Sequence, residues 1–174
     1  MAVMLARVNG IEQLCPNCGL CCDSTLFADV ELRAGDNATQ LKKLGLSVQK
    51  KGQGKLAFAQ PCACFDGKLC RIYEGRPRRC RTFACGLLKR VETGEMTVPA
   101  ALKKISGARK EAEKVRELLQ RAGHNDEAAA LTHRYTQAMS APLEVSDEHA
   151  SECRGELMLA VNALMQLVQR DFLR

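Results

Sequence analysis

Apolar residues recur at spacings of three and four along two long stretches in the second half of the chain. Leu102, Ile105, Ala108, Ala112, Val115, Leu118, Leu119 and Ala122 form one stripe, which predicts a helix opened by Val98-Pro99 and stopped by Gly123. Leu157, Val161, Leu164, Val168 and Phe172 form another, on a helix that Ser146, Asp147 and Glu148 are expected to open. Between them, Asn125 with acidic residues behind it is expected to cap a shorter helix ending before Pro142. Helices of this kind joined by short connections predict a small antiparallel bundle, and no catalytic pattern runs through it.

The first half has a different rhythm. LFADVELR, residues 26–33, reads as a short strand with Gly35 as its stop, and residues 37–44 as a short helix. LSVQKKGQGKLAFA, residues 46–59, reads as two strands around a glycine-containing turn. Past Pro77 the pattern turns helical; proline suits a first helical turn because the N–H it lacks would have no partner there.

Composition narrows the possibilities. The 174 residues are 46% hydrophobic, enough for a core of their own, yet aromatics are only 4% and tryptophan is absent. No uninterrupted apolar run approaches the roughly 18–20 residues of a membrane span. The apolar start of MAVMLARVNG is too short for a secretory signal. The expectation is a cytoplasmic protein with no membrane association.

Ten cysteines and a net charge of +6 are the unusual features. Nine of those cysteines precede residue 86, and the tenth, Cys153, lies on the last helix's apolar stripe, where a buried thiol is expected. Asp66 to Arg90 carries eight Lys/Arg against two acidic residues, so the whole net charge sits among Cys70, Cys80 and Cys85. The two anomalies coincide.

Residues 15–22 are CPNCGLCC, and residues 61–85 are PCACFDGKLCRIYEGRPRRCRTFAC. In a reducing compartment structural disulfides are unusual, and so many close thiols are an oxidation hazard unless held. Metal coordination holds them, since soft thiolate suits zinc and iron–sulfur clusters. The candidate ligands are Cys15, Cys18, Cys21, Cys22, Cys62, Cys64, Cys70, Cys80 and Cys85. The run at 15, 18 and 21 matches three ligands of a bacterial ferredoxin motif, but the fourth position holds Thr25 followed by Leu26. The paired knuckles of a zinc ribbon are missing too, so zinc and iron–sulfur both stay open. Neighbouring side chains diverge, so Cys21 and Cys22 either face two metals or a cluster, or one of them is spare.

Positive charge beside thiolates stabilises them. Arg71, Arg76, Arg78, Arg79 and Arg81 interleave with Cys70 and Cys80, so several are expected near a metal. A basic stretch also suits nucleic acid, but the scarcity of aromatics and the lack of a recognised motif disfavour that partner. Phe65, Tyr73 and Phe83 are better read as packing around a metal core than as base-stacking platforms. His124, His133 and His149 have no ligand spacing to a cysteine, and Glu113, Glu117 and Arg121 read as a solvated, paired helix face. GQG at 52–54 reads as a turn rather than a cofactor loop.

Together these residues resemble the CxxCxxCC zinc- or iron-chelating family, also called YkgJ-type cysteine-cluster proteins. Its leading cluster corresponds to Cys15, Cys18, Cys21 and Cys22. Its following run corresponds to Cys62, Cys70, Ile72, Tyr73, Arg76, Pro77, Cys80, Arg81 and Phe83. The resemblance covers residues 12–90 and implies chelation of zinc or iron, with no assigned activity.

The expectation is therefore an α+β protein: a small cysteine-rich metal-binding lobe with short strands, residues 1–95, followed by an antiparallel helical bundle extension, residues 96–174. The favoured function is thiolate coordination of zinc or an iron–sulfur cluster, with no residue read as catalytic. The alternatives are an iron–sulfur-dependent enzyme or electron-transfer component, and a zinc-stabilised module for protein or nucleic acid. A protein partner would engage the helical half.

Overall fold

The structure is a computed structural model that describes residues 13–142 and 148–174. The α+β expectation holds. Residues 13–18 are helical (α1) and lead into a turn. Then follow β1 (Asp29–Glu31), α2 (Ala38–Lys43), β2 (Val48–Lys50) and β3 (Leu56–Ala59). Five helices complete the chain: α3 (Arg78–Thr82), α4 (Gly86–Glu92), α5 (Val98–Arg121), α6 (Leu131–Ser140) and α7 (Glu148–Asp171).

The three strands form one antiparallel sheet in the order β1-β3-β2. Phe58 in the central strand is in register with Val30 on one side and Val48 on the other. All three are buried, and with Leu41, Leu46 and Cys64 they make the sheet's core cluster. Leu41 comes from α2, whose start is fixed by Asn37: its side-chain oxygen accepts the Gln40 N–H at 2.9 Å. The glycine-containing turn between β2 and β3 spans Gly52–Gly54, with Gln53 in the left-handed region at φ +62°.

In the second half, α5 and α7 are each 24 residues long and run antiparallel, since Lys104 near the start of α5 meets Asp171 at the end of α7. Every member of the predicted α7 stripe is buried, and each such Leu or Val contributes about 1.5–3 kcal/mol by leaving water. Thr97 caps α5 through its side chain, Pro99 sits in the first turn, and Gly123 beyond its end adopts φ +82°. Cys153 is buried on the α7 stripe, as its position predicts.

Three helix boundaries differ from the sequence expectation. The shorter helix expected behind Asn125 is α6, which starts at Leu131. Asp126 instead turns the chain by accepting the Ala128 N–H at 3.1 Å, and the free Leu131 N–H is taken by the distant Ser24 hydroxyl at 3.1 Å. The helical stretch past Pro77 breaks in two at Phe83, which is extended, and resumes after Cys85. Pro77 stands just ahead of α3 rather than within its first turn. The proposed opening of the last helix at Ser146 and Asp147 lies outside the described residues. No helix among the described residues is long and apolar enough to cross a membrane.

A second apolar cluster joins residues from both ends of the chain. Leu14, Leu20, Leu87 and Leu88 pack with Ala101, Ile105, Ala108 and Phe172. The Gly86 N–H donates to the Phe172 carbonyl at 2.8 Å, and a Cβ on Gly86 would lie 1.8 Å from the Arg174 carbonyl oxygen. The end of α7 thus lies directly on the residue that follows Cys85.

That approach is locked by Asp171, which is 1% exposed. Lys104 Nζ donates to its Oδ1 at 3.0 Å and Arg170 Nη2 to its Oδ2 at 2.8 Å, while Arg90 donates to its backbone carbonyl at 2.8 Å. Burial alone would raise this carboxyl, but the hydrogen bonds and charges of Arg170 and Lys104 outweigh it and hold the pKa at about 2. Folding therefore depresses the pKa, so the stabilisation is complete above the unfolded value of about 3.9 and is lost as pH falls through about 2. Asp171→Asn is expected to lower unfolding free energy by about 2 kcal/mol at pH 7. Urea titrations should show that gap to wild type closing between pH 4 and 2; a gap independent of pH would contradict the assignment.

Candidate metal centre

The sequence places nine cysteines in two segments, and the fold brings eight of them to one cavity. Cys15 and Cys18 lie three residues apart in α1, on one face of a single turn. Gly19, at φ +71°, ends that helix and turns the chain so that Cys21 and Cys22 follow immediately. The Gly19 carbonyl accepts the N–H groups of Cys22 at 2.8 Å and Asp23 at 3.0 Å, which fixes the turn. The second segment docks directly on the first: the Cys62 N–H donates to the Cys22 carbonyl at 2.8 Å. Cys70 is brought back beside it through an antiparallel bridge to Phe65. Cys80 lies within α3, and Cys85 caps α4, its sulfur accepting the Leu88 N–H at 3.4 Å.

A cavity of about 560 Å³ is lined by Cys15, Cys18, Cys21, Cys22, Cys62, Cys70, Cys80 and Cys85. Cys64 does not line it. This ninth candidate is buried in the sheet's core cluster, with its Sγ 3.6 Å from the Leu44 carbonyl, to which it donates. Cys153 is remote, in α7. The donor set is soft sulfur, which fits zinc or an iron–sulfur cluster and not a hard, oxygen-seeking ion such as magnesium. Among the described residues no three His, Cys, Asp or Glu side chains already stand at ligating geometry. The sulfurs are gathered but not closed on a point, so closure would accompany binding.

Six of the gathered thiols are shifted, all upward. Burial pushes Cys18 up to about 12 against a hydrogen bond from the Leu20 backbone, and the charges of Cys85 and Cys15 add to the rise. Burial likewise pushes Cys22 up to about 12, with Cys62, Cys70 and Cys80 adding to it. Cys62 and Cys80 both reach about 11, again chiefly by desolvation. Cys21 is driven well above the usual thiol range by burial and then by Cys18 and Cys22. The Cys15 residue is exposed overall, but its thiol faces the cavity: desolvation and Cys85 raise it while Arg76 lowers it. Without a cation these six thiols are held neutral. A coordinated metal reverses that balance, because a thiol bound to it is deprotonated outright.

The cavity wall also supplies positive charge. Arg76, Arg79, Arg81 and Lys68 line it, as do Phe65, Tyr73 and Phe83. Arg76 is held by its Nε–H bond to the Tyr73 carbonyl at 2.9 Å and by stacking 3.6 Å over the Tyr73 ring. Phe83 meets Phe27 edge-on with ring centres 5.0 Å apart. The other two arginines of the run do not line it: the Arg71 side chain donates to the Ala63 carbonyl, and the backbone N–H of Arg78 donates to Asp36 Oδ1 at 2.8 Å.

Two features around the site were not visible in the sequence. Arg116 of α5 reaches the turn after Cys22, bonding Asp23 Oδ2 at 3.0 Å and Thr25 Oγ1 at 3.1 Å. It also pairs with Glu113, and Arg121 pairs across helices with Glu156 rather than with Glu117. Gln60 is buried in the wall, and its Oε1 has no hydrogen-bond partner among the described residues. No periodicity announces such long-range contacts.

Gly19 is held from two sides. Its positive φ favours glycine, and a Cβ there would lie 2.5 Å from Phe65 Cζ. Gly19→Ala is therefore expected to cost about 1–2 kcal/mol from backbone strain alone, plus the displacement of the ring. Combining it with Phe65→Ala should recover the steric part. Additive effects in that double-mutant cycle would mean that Phe65 does not close on Gly19.

No curated protein and no solved structure matches the chain. A family model does: residues 14–99 match CxxCxxCC, described as a "Putative zinc- or iron-chelating domain". That span includes all eight cavity cysteines and Cys64, together with the sheet and the arginine run. Residues 14–99 of this chain are a CxxCxxCC domain.

Proposed function

We propose that the chain is a cytosolic metal-binding protein whose eight cavity cysteines, as thiolates, hold zinc or an iron–sulfur centre. The observation that carries this is the convergence of eight thiols from two distant segments on one cavity, with basic side chains in its wall. When bound, the metal supplies a crosslink between the segments and, if it is iron–sulfur, a redox centre. The protein's own residues do the rest. α1 and the Gly19 turn present the first four sulfurs, the Phe65–Cys70 bridge and α3 present the next three, and Cys85 closes from α4.

In this reading residues 1–95 are the metal-binding domain and residues 96–174 a bundle that braces it through Arg116 and Phe172. A reducing compartment suits a protein that must keep these thiols reduced. Cys15 at the exposed edge favours a centre that exchanges metal or electrons with a partner over one that is purely internal. Leu159 and Met165, both exposed on α7, offer that partner an apolar contact in the helical half.

Metal analysis and an absorption spectrum of anaerobically purified protein test the proposal. Stoichiometric metal is expected, colourless for zinc and with charge-transfer bands for iron–sulfur. Chelation should lower the thermal midpoint, and Cys18→Ala should lose metal while Cys153→Ala retains it. Metal-free protein of unchanged midpoint, with all cavity thiols freely alkylated, would contradict it.

A further inference from the structure

The cavity is shared, but its cysteines are attached to two different parts of the core. Cys18 and Cys85 pack against the helical cluster of Leu14, Leu20, Leu87 and Leu88. Cys62 and Cys80 pack against the sheet cluster around Phe58. Cys15 shares a helical turn with Cys18 and so belongs on the first side. Cys70 is bridged to Phe65, whose N–H bonds the Cys62 carbonyl at 2.9 Å, and so belongs on the second. Cys21 and Cys22 lie between the two. The backbone of Cys22 is bonded to that of Cys62, and the side chain of its neighbour Cys21 must diverge from it.

Resting on the metal-binding reading above, we infer that the cysteines form two four-thiolate centres rather than one. Cys15, Cys18, Cys21 and Cys85 make the first; Cys22, Cys62, Cys70 and Cys80 make the second; Cys64 belongs to neither. The adjacency of Cys21 and Cys22, a difficulty for any single mononuclear site, becomes the covalent link between two.

The binding step balances simply: each divalent ion displaces four thiol protons and leaves a centre of charge −2. Two centres carry −4, and Arg76, Arg79, Arg81 and Lys68 in the cavity wall answer that charge.

Anaerobic titration of the full-length metal-free protein with Co(II) reads the number of centres from its thiolate charge-transfer and d–d bands. Saturation at two equivalents is expected. The pair Cys15→Ser with Cys18→Ser should halve it, as should the pair Cys62→Ser with Cys80→Ser, while Cys64→Ser should leave two. Alkylation of wild-type protein holding one equivalent of Zn(II), followed by mass mapping, gives a readout independent of any variant. Protection should fall within the two named sets of four. Saturation at one equivalent, loss of all binding in either double variant, or protection that mixes the sets would overturn the division while leaving metal binding intact. Absence of any thiolate band in wild type would instead remove the metal-binding reading itself, and the division with it.

Discussion

Eight thiols gathered on one cavity are a poor arrangement for thiols and a good one for a metal. Desolvation disfavours the charged form of six of them, and ionised neighbours would repel one another, so those six stay neutral until a cation arrives. A divalent ion changes the sign of the problem: mutual proximity then supplies ligands instead of repulsion. The first-half architecture is intelligible as a means of keeping these sulfurs adjacent against that repulsion. The basic stretch belongs to the same balance. The net +6 of the chain comes from the segment that threads between Cys70, Cys80 and Cys85, and much of it faces the cavity rather than an external acidic partner.

Holding the sulfurs in place falls largely to contacts made elsewhere. The sheet fixes the second segment through Phe58, and the helical cluster fixes the first through Leu14 and Leu20. The long helices add reach. Arg116 of α5 clamps the turn that follows Cys22, and Phe172 at the end of α7 bonds the residue that follows Cys85. Asp171 then ties the end of α7 to α4 through Arg90 and to α5 through Lys104, while its neighbour Arg170 pairs with its other oxygen. The helical half acts on the site through these few polar bonds and one apolar cluster, without contributing a cysteine to the cavity.

What could be read in advance follows from the range of the interactions involved. The stripes of α5 and α7 are local and periodic, so their helices and the buried Cys153 were legible. So were the Asn37-capped helix and the strands either side of GQG. The start of α6 was not, because the partner of the Leu131 N–H is Ser24, more than a hundred residues away. Likewise, β1 pairing with β3 rather than with its nearer neighbour is a tertiary choice. At the site, residue type and spacing named the cysteines, but only the fold separates Cys64, turned into the sheet core, from the eight that face the cavity. Phe65 closing on Gly19 had no signal beyond a glycine inside a cysteine motif.

The central claim is that sulfur alone surrounds the metal. X-ray absorption at the metal edge of the protein as purified tests this most directly. A first shell of four sulfurs at about 2.3 Å, with no nitrogen or oxygen scatterer, is the predicted result. A shell dominated by nitrogen or oxygen at about 2.0–2.1 Å would contradict it, because it would put the metal on residues other than the gathered cysteines.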